Sequence, residues 1–382
     1  MTESPLAVRV LSMSTPRTFL TSLVAAALLV APAPSIAKPP DRGVSDALDE
    51  LVTAGAPGGI ALADGRATAT GVADLATGRK LRPHDRIRVG SVTKPFVAVV
   101  ALQLVGEGRL RLDDTVGEWL PGVLPQADAV TLRQLLNHTS GIPDDLGPVI
   151  GGIFSGDPGR VWSRNDVIGL VRDKPLRAPG TYAYSNTGYA LVGMMIERAT
   201  GRTLEEELDR RIVRPLHLRD TSFPVRETAI GVRAAHGYSL LPGPNGPIPG
   251  TQRDISRYSP SFAWASGNAI STVRDLAGFW RGLLGGELLR PRELRAALTT
   301  VPTGRDWQQG LAVRVYDTPH GTLVGGEGDI LGFSVQVRAS WSGDRQAVVA
   351  TNVKFGPPAV DDALDAAMDA ATTAAFASPR GG

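Results

Sequence analysis

Apolar and polar positions divide the chain into stretches of different period. Residues 44–55 carry apolar side chains at helical spacing, and 58–90 fall into short runs broken by the turns Ala63-Asp64-Gly65 and Ala76-Thr77-Gly78, a pattern that predicts one helix followed by strands. Helical spacing dominates from about residue 110 to 220, interrupted by Pro121-Gly122, His138-Thr139-Ser140-Gly141-Ile142-Pro143 and Gly156-Asp157-Pro158-Gly159. Within it, 186–199 reads as a helix stopped at Gly201. Residues 242–250 are rich in proline and glycine and read as a surface loop. Beyond Ser271-Thr272, a capping pair with Asp275 in the first turn, a helix is predicted through Leu284. Alternation at 310–316, 322–325, 332–340 and 346–353 predicts antiparallel strands, and 359–376 closes the chain as an alanine-rich amphipathic helix.

Strands, then helices, then strands again define an α+β protein. The layout calls for an antiparallel sheet assembled from both chain ends, 38–110 and 265–378, flanked by helices, with 111–264 forming a mainly helical domain. The chain shows no internal repeat.

One stretch breaks the amphipathic rule. From Phe96 to Leu104 apolar residues face every direction, so this helix belongs in the centre of the protein. Pro95 sits in its first turn, where a missing N–H is tolerated, and Gly106 and Gly108 end it. Ser91 then falls at the positive end of a buried helix with Lys94 on the same face. The lysine is informative because only 5 of the 40 basic residues are lysine. Arginine holds its proton, whereas a buried lysine beside other cations can act as a base. The spacing alone proves little: Ser35-Ile36-Ala37-Lys38 has it too, and runs into Pro39-Pro40, where no helix follows. A serine cap with a lysine in solvent is the plainer reading of 91–105 taken by itself.

A second signal is Tyr184-Ser185-Asn186, after the Pro179-Gly180 turn and just before the helix at 186. A tyrosine hydroxyl in a cationic pocket can relay protons, and an asparagine amide can hold both a catalytic group and a substrate carbonyl. The competing reading is a loop aromatic on the core with an asparagine cap.

Composition changes the picture at the N-terminus. Arg17, the apolar run 19–30 and the small residues before Ala37 have the three sections of a secretory signal, so residues 1–37 are expected to be a leader, with Met13 an alternative start and the mature protein secreted or extracytoplasmic. The run is too short to span a membrane comfortably, and no stable span is expected after cleavage. Formal charge is +2 for the 382 residues, which argues against nucleic acid as a partner. The chain has no cysteine, excluding disulfides, iron–sulfur clusters and thiolate zinc, and its five histidines are scattered. Neither a metal nor a cofactor is expected.

Taken in order, Arg88-Val89-Gly90-Ser91-Val92-Thr93-Lys94, His138-Thr139-Ser140-Gly141, Tyr184-Ser185-Asn186 and 271–276 resemble the serine β-lactamase and D-alanyl-D-alanine carboxypeptidase family, the class C-like members most closely. The likeness covers about 44–376. It implies the β-lactamase/transpeptidase-like fold, an acyl-enzyme on Ser91, Lys94 and Tyr184 sharing the general-base role, and Asn186 bridging Lys94 and substrate. The oxyanion would be held by backbone N–H groups of Ser91 and Asp329. The implied activity is that of an exported D-alanyl-D-alanine carboxypeptidase-like, penicillin-binding or β-lactamase-like hydrolase acting on a small molecule or peptidoglycan-derived peptide.

The family's third motif, a basic residue followed by any residue and glycine, is altered here to Gly326-Glu327-Gly328. Without the basic residue, slow acylation is expected, and Glu327 is expected to repel a substrate carboxylate. Arg314 matches the position of a carboxylate-binding arginine in relatives; paired instead with Glu327 it leaves a neutral site suited to esters or amides. A non-catalytic binding protein on the same fold is the alternative from another class. His138 is expected to cap a helix and shape a turn, and Trp264 either borders the pocket or packs in the core. The sequence leaves the substrate and the oligomeric state open.

Overall fold

Two backbone features decide how the sheet packs: Gly59 lies under Leu48 and Leu51, and Gly71, at φ +77°, lies against the Pro57 carbonyl. At Gly71 only glycine fits, because a Cβ would stand 2.2 Å from the Pro57 carbonyl oxygen; at Gly59 a Cβ would press on the two leucine side chains. The computed structural model describes residues 43–240, 252–356 and 358–377. The predicted leader and the predicted loop at 242–250 lie outside the described residues.

The sheet orders its nine described strands as Arg79–Lys80, Arg66–Asp74, Gly58–Ala63, Gln346–Thr351, Phe333–Ser340, Gly321–Ile330, Arg314–Thr318, Trp307–Gln309 and Val301–Pro302. Neighbours are antiparallel throughout, and the strand Gly58–Ala63 pairs with Gln346–Thr351, joining the two ends of the chain. The described residues have the α+β architecture expected, an antiparallel sheet flanked by helices. Alternation along a strand sends successive side chains to opposite faces. Ile60 and Leu62 accordingly enter the large core, while Ala61 faces the helices Val44–Thr53 and Pro358–Ala377 through Leu48, Leu51, Leu364 and Met368.

The large core is built around the helix Thr93–Gly106, buried from Thr93 through Leu102 as its all-round apolar sequence requires. Phe96 stacks on Phe279 at 3.7 Å between ring centroids, tying this helix to Val273–Leu284 and so to the sheet. Removing such a buried ring costs about 3–5 kcal/mol. The helix Asn186–Thr200 is capped by Ser185 and stopped by Gly201 at φ +71°, as its sequence implied; the cap is the serine, not the asparagine. The described residues belong to one compact unit. Among the described residues no helix is long and apolar enough to cross a membrane.

Candidate active site

Ser91 is not on the α-helix but on a single 3₁₀ turn, Gly90–Val92, that leads into it. Two glycines hold this turn against the strand Gly321–Ile330. A Cβ at Gly90 (φ +51°) would stand 2.6 Å from the Asp329 carbonyl oxygen, and one at Gly328 would stand 2.1 Å from the Val89 carbonyl and 2.9 Å from the Ser91 amide nitrogen. Strand backbone and nucleophile turn therefore pack with no side chain between them. The paired segments Ile87–Arg88 and Ile270–Ser271 fix the turn from the other side, with Thr93 Oγ1 donating to the Gly90 carbonyl and accepting from the Ala269 N–H.

The four residues singled out in the first two motifs meet. Lys94 Nζ lies 3.0 Å from Ser91 Oγ, 2.7 Å from Asn186 Oδ1 and 2.8 Å from the Ser266 carbonyl oxygen. Ser91 Oγ and the Tyr184 hydroxyl are 2.5 Å apart. Lys94 is 3% exposed, so the lysine-in-solvent reading is wrong. Burial drives its ammonium down; Asp144 opposes this, Arg314 adds to it, and the result is a pKa of about 7. Burial also pushes the Tyr184 phenol well up, against the opposing effect of its hydrogen bond with Ser91. Of the two groups touching Ser91, only the amine is balanced between protonation states near neutrality.

Tyr184 is held by the segment 138–144. His138, at φ +60°, accepts the Ser185 N–H on Nδ1 and lies 4.5 Å from the Tyr184 ring; its carbonyl accepts the Ala183 N–H. Burial, then the charges of Lys94 and Arg314, keep this imidazole far below its ordinary pKa. It shapes a turn, as expected, and in its left-handed conformation it closes the helix Leu132–Leu136 just past the Asn137 cap, where the Thr139 N–H bonds the Gln134 carbonyl. At the helix beginning with Asn186, Asp144 supplements the Ser185 cap by accepting from the Asn186 and Thr187 N–H groups.

The third motif differs most from expectation. A Cβ at Gly326 would point at Trp280 across 3.6 Å, so Gly326 puts no charge into the cavity. Arg314, on the neighbouring strand and opposite Gly325, donates to Glu327, and Arg338 donates to the same carboxylate at 2.7 Å, as does the Tyr316 hydroxyl at 3.0 Å. Burial raises the Glu327 carboxyl, and the two guanidinium charges outweigh it, holding the group below the usual carboxylate range. Two expectations need correction. Glu327 is not an uncompensated charge in the wall, because two arginines neutralise it. The slow acylation expected from the missing basic residue is offset at Lys94, whose amine burial and then Arg314 lower without it.

A cavity of about 440 Å³ opens onto Ser91. Leu146, Ile150, Phe262, Ile330, Leu331 and Phe355 supply its apolar lining, and Tyr182, Arg305, Arg314, Glu327 and Asp329 are among its polar lining. Trp264 is core: 3% exposed, with Nε1 donating to Glu205. Sequence reasoning missed Asp144, Arg338, Tyr316 and the Ser266 carbonyl. Asp144 alone left a sign, an acid just after Ile142-Pro143 in a segment already marked as a turn. Among the described residues no group of three His, Asp or Glu side chains is placed to hold a metal.

A serine lining an open cavity, hydrogen-bonded to a buried amine on a sheet-and-helix frame of this kind, defines a serine hydrolase of the β-lactamase and penicillin-binding superfamily. The family model described as Beta-lactamase matches residues 44–372, and the chain belongs to that family. It is similar to the esterase EstB of Burkholderia gladioli, 30% identical over 285 residues covering 66% of this chain and 72% of that one. Penicillin-binding protein 4 of Amycolatopsis lactamdurans is 33% identical over 56% of this chain, which spans only 54% of that relative. Among solved structures, a D-stereospecific amidohydrolase from Streptomyces sp. superposes with a TM-score of 0.75 at 32% identity, covering 85% of this chain and 97% of that one. The alternative of a non-catalytic binding protein gives way to a hydrolase.

Proposed function

We propose that the protein hydrolyses esters or amides of neutral, apolar acyl groups through an acyl-enzyme on Ser91. The observation that carries this reading is the Arg314–Glu327–Arg338 cluster: the arginine positioned to take a substrate carboxylate is already bound to one. The apolar lining of Leu146, Ile150, Phe262, Ile330, Leu331 and Phe355 suits an uncharged acyl or side-chain group. The esterase and the D-stereospecific amidohydrolase support the same substrate classes.

In this reading neutral Lys94 takes the Ser91 proton, directly across 3.0 Å or through Tyr184, while Ser91 Oγ bonds to the carbonyl carbon. The carbonyl π electrons move to oxygen, which the N–H groups of Ser91 and Asp329 receive. Collapse of this intermediate breaks the bond to the leaving alcohol or amine, which accepts the proton from the Lys94 ammonium. Water then repeats the sequence on the acyl-enzyme, losing its proton to Lys94 and returning Ser91 to its hydroxyl form. Proton transfer by a positioned base contributes about 10²–10⁴-fold, and one oxyanion donor about 10²–10³-fold. Asn186, held to Lys94, presents its amide to the substrate carbonyl or N–H.

Arg305 favours a second reading. It lines the same cavity and forms no ion pair among the described residues, so a D-alanyl peptide or β-lactam carboxylate can be received there. Export is part of the proposal for the whole chain and rests on the leader-like residues 1–37. The test compares p-nitrophenyl butyrate hydrolysis with acylation by a fluorescent penicillin in wild type and Ser91→Ala. Ester turnover lost in the variant, with slow penicillin labelling of wild type, is the expected result; fast stoichiometric penicillin labelling with feeble esterase activity establishes the second reading instead.

A further inference from the structure

Asp144 touches none of the groups that would react, yet its carboxylate is the most heavily hydrogen-bonded acceptor beside them. Oδ1 accepts from the Asn186 N–H at 2.8 Å, the Thr187 N–H at 2.9 Å and Thr187 Oγ1 at 3.1 Å, with Ser185 Oγ at 3.4 Å. Oδ2 accepts from the Asn186 N–H at 2.8 Å and from Asn186 Nδ2 at 2.7 Å. The last contact has a consequence for the amine. An ionised carboxylate only accepts, so the Asn186 amide must turn its nitrogen to Asp144, which directs Oδ1 at Lys94.

That orientation determines where the Lys94 lone pair points. Nζ has three positions beyond its bond to carbon, and the structure directs them at Asn186 Oδ1, the Ser266 carbonyl and Ser91 Oγ. The first two partners are acceptors and each requires an N–H. A neutral amine has two N–H bonds and one lone pair, so the lone pair is left facing Ser91. An Asn186 amide turned the other way would offer an N–H to Lys94, and the lone pair could go there instead.

We propose that Asp144 is a positioning residue that, through the Asn186 amide, aims the Lys94 lone pair at Ser91. The inference rests on the acyl-enzyme reading of Ser91. It also assigns Asp144 an electrostatic part. The titratable and charged groups around Lys94 are Tyr184 and Tyr189, whose rings lie 4.7 and 5.5 Å from Nζ, His138, Arg314 and Asp144. Asp144 is the acid that opposes burial and Arg314 at Lys94.

The test is the pH profile of kcat/KM for an activated ester in wild type, Asp144→Asn, Asp144→Glu and Ser185→Ala. Asp144→Asn puts an N–H where Asn186 Nδ2 now donates, so the Asn186 amide reverses. The plateau is expected to fall about 10–100-fold, and the acidic limb to move down by about half to one pH unit as the negative charge is lost. Asp144→Glu keeps the charge but displaces it, so the limb stays in place while the plateau drops. Ser185→Ala removes a helix cap and only the long 3.4 Å contact to Asp144, leaving the Asp144–Asn186 bonds in place, and is expected to lower the melting temperature without moving the limb. A wild-type plateau and limb in Asp144→Asn, or full activity in Asp144→Glu, overturns the proposal, and the glutamate variant decides should the asparagine variant not fold. If the wild type shows no acylation burst on Ser91, the reading of the reaction fails and this inference falls with it; a normal wild-type burst with unaffected Asp144 variants overturns the inference alone.

Discussion

Arg314 reaches across from its own strand to bind Glu327, so the charged wall of the cavity is balanced before any substrate enters. Glu327→Gln breaks that balance and leaves the Arg314 guanidinium in the cavity wall, and Arg338 outside it, with no carboxylate between them. The KM for an ester with a free carboxylate, such as p-nitrophenyl hemisuccinate, is expected to fall about 5–10-fold, the worth of one charge-assisted contact of 1–1.4 kcal/mol at a partly exposed site. The KM for p-nitrophenyl butyrate should hardly change. Equal changes for both substrates would show that Glu327 has no part in selecting charge.

The pKa of about 7 at Lys94 predicts the shape of the rate profile. Attack requires the neutral amine, so kcat/KM should rise with pH through about 7 and fall about tenfold per unit below it. Arg314 lowers Lys94, so Arg314→Gln should displace the limb to higher pH. Lys94→Arg keeps a cation in place but cannot release a proton, and is expected to lose at least about 10³-fold in kcat. Retention of activity in Lys94→Arg would remove the amine from the role of base.

Much of this site was legible because its parts carry their own local signatures. An all-apolar helix announces burial, which made Lys94 a perturbed amine before any contact was known, and the Tyr184-Ser185-Asn186 turn before a helix placed two polar groups at one helix end. The cluster at Glu327 was half legible. Arg314 could be matched by position, but Arg338 and Tyr316 reach Glu327 only through the register that sets Glu327 opposite Gln336 and Tyr316 opposite Leu323. Register is a property of the paired strands, not of either alone. The 3₁₀ turn at Ser91 was hidden for a similar reason: Gly90 adopts φ +51° because the Asp329 backbone lies against it, a contact between residues far apart in the chain. The Ser266 carbonyl was beyond reach because every residue carries one.

That close approach supports a steric prediction. Gly328→Ala would put a methyl group 2.1 Å from the Val89 carbonyl oxygen, against backbone that cannot swing away as a side chain tip can. The strand and the nucleophile turn must separate, and activity is expected to fall at least about 10²-fold if the Ser91 and Asp329 N–H groups along that seam hold the oxyanion as proposed. Gly326→Ala, whose methyl group meets Trp280 at an ordinary 3.6 Å, should leave activity within about threefold. Comparable losses in the two variants would count against the seam as the sensitive element.

The same lysine ties stability to pH. Its pKa is about 7 in the folded chain against 10.5 when unfolded, so between these values the unfolded state carries a proton that the folded state lacks. Stability must therefore rise with pH across that window, by about 1.4 kcal/mol per unit for one proton. Below about 7 both states are protonated and above 10.5 both are neutral, so the slope vanishes on either side. Lys94→Met removes the titrating group while filling its space. Urea unfolding of wild type and variant at several pH values between 7.5 and 9.5 should give curves that diverge by about 2–3 kcal/mol over that interval, wild type improving relative to the variant as pH rises. Parallel curves would mean that Lys94 keeps an ordinary pKa in the folded protein, and the amine would then be too protonated at neutrality to serve as the base for Ser91.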